Sequence, residues 1–144
     1  MIYWDTSCLL KLYVTEPDSL LWQERAVTNG ESLLTSNLSV AELGFALAHK
    51  EAQGGLKVGG AAKLREQFKR DVGKGRFKLV PIESHILDRA VLLAVECLQA
   101  SPAIHLRTLD GIHLSTAVLM RCSSLATADE RMRHAARLLG LGLL

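Results

Sequence analysis

The chain has 144 residues, of which 49% are apolar and 22% charged, a balance that supplies one well-filled core and argues against disorder. Aromatic residues reach only 5%, too few for stacking platforms of the sheet-surface kind, so RRM-like and OB-like binding modules are disfavoured. A net charge of +2 is too small to announce nucleic-acid binding, and no apolar run approaches the roughly 18 residues that cross a bilayer, so no membrane partner is expected.

The chain opens on a short apolar run, Ile2 to Trp4, that ends at Asp5 and passes into a helical pattern through Leu9, Leu10, Leu12 and Tyr13, which predicts strand then helix. Pro17 suits the first turn of a second helix, running through Leu20, Leu21 and Trp22 toward a stop at Asn29-Gly30. Ser32 to Ser36 is the next strand, followed by a helix from about Asn37 to Gln53 that Gly54-Gly55 ends. Residues 61 to 72 form a charged helix, Phe77 to Ile82 a buried-type strand, and Ile86 to Leu98 a mostly apolar helix. A helix from about Leu109 to Arg121 is apolar nearly all round and therefore buried; Ser124 to Thr127 is a short strand, Glu130 to Leu139 a last helix, and Leu141 to Leu144 an edge strand. Strands alternating with helices imply parallel pairing through right-handed crossovers: an α/β three-layer sandwich with a central parallel sheet of four to five strands, in one domain spanning residues 1–144.

Two features bear on charge and compartment. Between Lys57 and Lys78 lie eight basic residues against Glu66 and Asp71, so this segment is basic and the rest of the chain net acidic. A solvated helix face accounts for such a run; a phosphate-attracting flank is the sharper alternative. Cys8, Cys97 and Cys122 are odd in number, widely spaced and set among apolar residues, the pattern of reduced buried thiols. With no basic leader ahead of Asp5, a cytoplasmic location is expected.

The chemistry rests on four carboxylates. Parallel sheets bind ligands beyond the carboxyl ends of their strands, and Asp5 and Asp129 follow strand candidates directly. Each acid has a competing account. Asp5 before Thr6-Ser7 is a good helix N-cap; Ser39-x-x-Glu42 fits a capping box, unless the helix begins near Ser36 or Asn37 and places Glu42 in its second turn; Asp110 near a helix start complements the dipole; and Thr127-x-x-Glu130 is itself a capping box that leaves Asp129 unexplained. If the fold gathers the four, repulsion decides. Two carboxylates about 4 Å apart at an effective dielectric near 20 repel by roughly 4 kcal/mol, so a hard divalent cation is the natural compensation. Mg²⁺ or Mn²⁺ takes oxygen ligands and substrate phosphates, which is equipment for phosphodiester hydrolysis.

Other chemistries fit worse. There is no Gly-x-Ser-x-Gly elbow, phosphate-binding glycine loop, Cys-x-x-Cys or His-Glu-x-x-His spacing. His49, His85, His105, His113 and His134 are scattered, and none is given a catalytic role; His113 on a buried helix reads as a satisfied core histidine. Rival readings are a non-catalytic binding or regulatory protein on the same fold, a thiol enzyme using Cys8, and a phosphoryl-transfer enzyme using Asp5 as nucleophile, which lacks an Asp-x-Asp pair.

Four blocks, in order and nearly end to end, resemble the PIN-domain family and within it the VapC-like ribonuclease toxins. They are Ile2-Tyr3-Trp4-Asp5-Thr6-Ser7, Ser39-Val40-Ala41-Glu42-Leu43, the stretch Leu106 to Ala117 containing Leu109-Asp110-Gly111-Ile112-His113-Leu114, and Leu125-Ala126-Thr127-Ala128-Asp129. Gly111 stands where the family usually has alanine, and Trp4 is bulkier than the usual aliphatic residue. The resemblance implies an acidic cluster of Asp5, Glu42, Asp110 and Asp129 holding Mg²⁺ or Mn²⁺, with Thr127, Thr6 or Ser7 orienting carboxylates or water. It also implies an endoribonuclease that leaves a 5′-phosphate, the toxin of a toxin–antitoxin pair, with a small antitoxin partner and self-pairing into a homodimer. Asp5 and Asp129 are expected as direct ligands, with Asp110 and Glu42 serving a second ion or its waters.

Overall fold

Residues 2–4 are wholly enclosed and form the central strand of the sheet in this computed structural model, which describes residues 1–144 apart from Asn29 and Glu31. In chain order the elements are β1 (Ile2–Trp4), α1 (Thr6–Leu10), α2 (Ser19–Thr28), β2 (Leu33–Ser36), α3 (Leu38–Ala52), α4 (Gly60–Gly73), β3 (Phe77–Val80), α5 (Ser84–Leu98), α6 (Thr108–Leu119), β4 (Ser124–Ala126), α7 (Glu130–Leu138) and β5 (Gly142–Leu143). The strands lie in the order β3-β2-β1-β4-β5 and every neighbouring pair is parallel. The sheet therefore has five strands, with Gly142–Leu143 as the short edge strand expected of the last residues.

Alternation along the strands builds two cores. Ile2, Trp4, Leu33, Phe77 and Ala126 face one way and pack on Cys8, Leu9, Trp22, Leu43, Leu47 and Phe68 of α1 to α4. Tyr3, Leu34, Val80 and Leu125 face the other way, onto α5, α6 and α7 through residues such as Ile86, Leu93, Leu114 and Met132. The result is a three-layer sandwich, α1 to α4 on one face and α5 to α7 on the other. Helix α6 is buried without a break from Gly111 to Ala117, as its apolar sequence requires.

Local boundaries differ where side chains intervene. Leu12 and Tyr13 lie in a turn after a five-residue α1, not in its helix. Pro17 sits in the turn ahead of α2, because Ser19 closes the loop first, its hydroxyl donating to the Val14 carbonyl and accepting from the Glu16 N–H at 2.8 Å each. Of the stop expected for this helix, Asn29 lies outside the described residues, while Gly30 has the left-handed φ of 60° that suits a glycine after a helix end.

Because β1 is flanked by β2 on one side and β4 on the other, the chain reverses its winding direction at β1. The carboxyl ends of β1, β2 and β4 thus open onto one crevice, the topological switch point where parallel sheets place their ligands.

Candidate active site

Asp5 ends β1 and begins α1. As N-cap, its Oδ1 accepts from the Cys8 N–H at 3.0 Å and from the Ser7 hydroxyl at 2.7 Å. The capping account is therefore correct, but incomplete, since Oδ2 accepts from the Thr127 hydroxyl at 2.5 Å across the β1–β4 seam. The Asp5 N–H also donates to the Ala126 carbonyl, which fixes the two strand ends side by side. Thr127 Oγ1 in turn accepts from the Asp129 N–H at 3.2 Å, and Ser7 Oγ accepts from the Ala128 N–H at 3.2 Å. Asp5, Ser7, Thr127 and Asp129 thus form one hydrogen-bonded run, and Asp5 and Asp129 share the Thr127 hydroxyl as intermediary.

The Thr127-x-x-Glu130 box expected from the sequence is not made. Thr127 is engaged with Asp5, and Asp129 itself caps α7, its Oδ1 accepting from the Arg131 and Met132 N–H groups at 2.8 and 3.2 Å. Its other oxygen accepts from the Arg131 guanidinium at 3.2 Å. The Ser39-x-x-Glu42 box is not made either. Helix α3 begins at Leu38, so Glu42 falls in the second turn, the alternative left open by the sequence. Ser39 is turned to Thr35 at 2.6 Å, and Thr35 donates to the Trp4 carbonyl. Glu42 Oε2 accepts from Thr6 Oγ1 at 2.5 Å and pairs with His113 Nε2 at 2.7 Å. Asp110 sits at the third position of α6, where one of its oxygens accepts from the Arg107 N–H at 3.2 Å. It lies three residues, about one turn, before His113 on the same helix.

The structure therefore brings Asp5, Asp129, Thr127, Thr6 and Ser7 to one edge and sets Glu42 beside them through Thr6, with Asp110 reached along α6. His113, given no role by the sequence reading, is tied to Glu42 on one side and to the Tyr3 hydroxyl, at 2.7 Å, on the other. Local spacing carries no signal for it, since its two partners lie 71 and 110 positions away in the chain.

Electrostatics distinguish the acids. Asp5 is 4% exposed, and burial pushes its carboxyl above the usual range, against the pull of the Thr127 and Ser7 hydroxyls, the Cys8 N–H and the more distant His113. Burial also acts to raise Glu42 and Asp129. It is outweighed at Glu42 by His113 and Thr6, and at Asp129 by Arg131 and the two capped N–H groups, so both lie below the usual range. Burial and the charge of Asp5 push the Cys8 thiol up, which keeps it protonated and removes the thiol-enzyme reading.

These groups offer only hard oxygen donors, the type Mg²⁺ and Mn²⁺ take, and none of the hydrogen-bond donors to buried Asp5 is a basic side chain. Among the described residues, no three His, Cys, Asp or Glu side chains stand together tightly enough to hold an ion as they are folded.

Comparison with known proteins bears on the family and the fold. Residues 2–138 match the sequence model of the PIN domain. The chain is 33% identical over 146 residues to Ribonuclease VapC46 of Mycobacterium tuberculosis, covering 99% of this chain and 95% of that protein. Two solved structures share the fold across the whole chain. FitAcB from Neisseria gonorrhoeae superposes with a TM-score of 0.67 at 18% identity, over 96% of its chain. VapBC2 from Rickettsia felis, bound to a DNA fragment from their promoter, superposes with a TM-score of 0.64 at 20% identity, over 98% of its chain.

Proposed function

The chain belongs to the PIN-domain family, and on that premise we propose that it is a divalent-metal-dependent endoribonuclease that hydrolyses RNA phosphodiester bonds, the toxin of a toxin–antitoxin pair. The observation that carries the proposal is the run from Asp5 through Thr127 to Asp129 at the switch point of the sheet, with Glu42 next to it. A structural cap needs no buried carboxylate lacking a basic partner; a cation site does.

In this reading Asp5 and Asp129 are the direct ligands of Mg²⁺ or Mn²⁺, and Glu42 and Asp110 hold a second ion or its waters. When bound there, such an ion would supply positive charge for the phosphate oxygens and lower the pKa of its water. The protein's part is orientation. Thr127 and Ser7 hold the Asp5 carboxylate from both oxygens, so that it enters the site in one rotamer without searching. Thr6 does the same for Glu42. The products of such hydrolysis, with the P–O3′ bond broken and the water's atoms added, would be a 5′-phosphate and a 3′-hydroxyl.

The partners follow the same proposal: RNA as substrate, a small antitoxin that blocks the site, and a second copy of the chain. Two surfaces are suited to protein partners. A cleft of about 570 Å³ between α3 and α4 is lined by Val40, Gly44, Phe45, Ala48, Arg65 and Lys69, and the outer side of α5 exposes Leu87, Val91, Leu92, Val95 and Leu98. Among the described residues no helix is long and apolar enough to cross a membrane, and the three cysteines are buried; a cytoplasmic location is part of the proposal.

The decisive measurement is RNA cleavage by the pure protein with and without EDTA. Cleavage should vanish with EDTA, return with Mg²⁺ or Mn²⁺, and fall by more than about 100-fold in Asp5→Asn, since even outer-shell partners of a metal cost about 10- to 100-fold. Undiminished cleavage by Asp5→Asn would refute the assignment. A protein that binds RNA or antitoxin but cuts nothing would support the non-catalytic alternative.

A further inference from the structure

Glu42 and His113 come from opposite layers of the sandwich: α3 packs with the core under Trp4, and α6 with the core around Tyr3. Their side chains meet over the carboxyl edge of the sheet at 2.7 Å. His113 is 3% exposed, so its ring is placed by packing, with Gly111 to Ala117 buried around it and the Tyr3 ring edge-on at 5.7 Å. Both ring nitrogens are engaged, Nε2 by Glu42 and Nδ1 by the Tyr3 hydroxyl.

The chemistry of the partners decides where the ring proton sits. An ionised carboxylate only accepts, so Nε2 must carry the hydrogen that lies between His113 and Glu42. A phenol keeps its proton at neutral pH, and one whose O–H points at Nδ1, here at 2.7 Å, leaves the ring hydrogen on Nε2. Tyr3 is two residues from Asp5 and lies on the central strand, which leaves it little freedom to release the ring. A merely satisfied core histidine would serve equally well with its second nitrogen on a backbone carbonyl. Here that nitrogen is aimed across the layers at an acid of the candidate site.

We propose that His113, oriented by Tyr3, is a positioning residue that holds Glu42 in the acidic cluster through an Nε2–H donor. The inference rests on the nuclease reading for its catalytic consequence, but not for its geometry. Through Thr6 and His113, both converging on Oε2, the Glu42 side chain is fixed by a donor from each layer, and Oε1 takes part in neither bond. Metal sites commonly orient their carboxylate ligands in this way, and loss of such a partner costs about 10- to 100-fold in metal affinity or activity.

The test uses the full chain and three variants: His113→Leu, which removes the donor; His113→Gln, whose amide can restore it; and the double variant Tyr3→Phe/His113→Leu, which leaves no orphaned hydroxyl if His113→Leu alone does not fold. Long-range ¹⁵N NMR of the metal-free wild type should show the His113 ring as the Nε2–H tautomer. Mn²⁺ affinity followed by electron paramagnetic resonance, and RNA cleavage, should fall by about 10- to 100-fold in the leucine variants and recover substantially in His113→Gln. An Nε2 that carries no proton, or a folded leucine variant with wild-type Mn²⁺ affinity and cleavage, overturns the proposal, as does a glutamine variant no better than leucine. If the wild type binds no Mn²⁺, the nuclease reading fails instead, and the tautomer alone decides whether His113 orients Glu42.

Discussion

Asp5 is the residue where function and stability pull apart. Its carboxyl lies above the ordinary range because burial outweighs the hydroxyls and the N–H that serve it. An acid whose folded pKa exceeds its unfolded value of about 3.9 favours the fold when protonated; that contribution is full below the unfolded value and is lost as pH rises through the folded one. At neutral pH and without metal, the ionised Asp5 therefore works against the fold. Asp5→Asn should melt at the same temperature as the wild type or higher at pH 7 in EDTA, the difference shrinking as pH approaches 4, while cleavage is lost. Thermal melts across pH check this; an asparagine variant that melts lower than wild type at pH 7 would mean that the ionised form is compensated by something other than a cation. Added Mg²⁺ should raise the melting temperature of the wild type and not of the variant.

Among the elements, α6 is the one on which the site and the core both depend, and its first turn carries its weakest residue. Gly111 is buried, has no left-handed φ, and a Cβ there would meet only the Ala90 carbonyl and Cβ at 3.7 and 3.8 Å, ordinary van der Waals contact. Gly111→Ala should stabilise the protein by about 0.5–1 kcal/mol, through lower unfolded-state entropy and better helix propensity, with cleavage retained. Denaturant unfolding with an unchanged m-value checks this; destabilisation would show that α5 and α6 cannot absorb the methyl group. At α7 the opposite holds. Asp129 is both cap and candidate ligand, so Asp129→Ala should cost about 1 kcal/mol of stability in addition to activity, whereas Asp129→Asn should keep most of the cap and still lose cleavage.

At the scale of the molecule, basic charge is concentrated in one segment, residues 57–78. The basic segment becomes α4 and its flanks, with Lys63 and Arg70 exposed and seven residues apart, hence on the same side of the helix. Part of the segment is solvated and paired, as Lys69 with Glu66 and Arg76 with Asp71 demonstrate. If the remainder meets RNA, replacing Lys63 and Arg70 by alanine should lower the slope of log Kd against log salt by about 1.4, at about 0.7 per neutralised phosphate on a single strand. Filter binding with a non-cleaved RNA measures it, and an unchanged slope would leave α4 as a solvated face.

Much of this was legible in the order of the residues. Apolar runs and turn residues place most strands and helices within a few residues, because burial on one face or all round leaves a direct mark on composition; Ile2 to Trp4 and Gly111 to Ala117 are the clearest cases. The acids at strand ends were legible for the same reason, since a charge that follows an enclosed strand without a turn must lie at its rim. What the linear order left undecided was which partner each side chain takes. Ser39 and Thr127 carry perfect local capping patterns, yet Ser39 turns to Thr35, itself bound to the Trp4 carbonyl of β1, and Thr127 gives its hydroxyl to Asp5 across the β1–β4 seam, because a buried polar atom takes the partner that packing holds nearest. His113 was invisible as a site residue until α3 and α6, from opposite layers, met above the sheet: a hydrogen bond spanning 71 positions in the chain leaves no trace in local spacing.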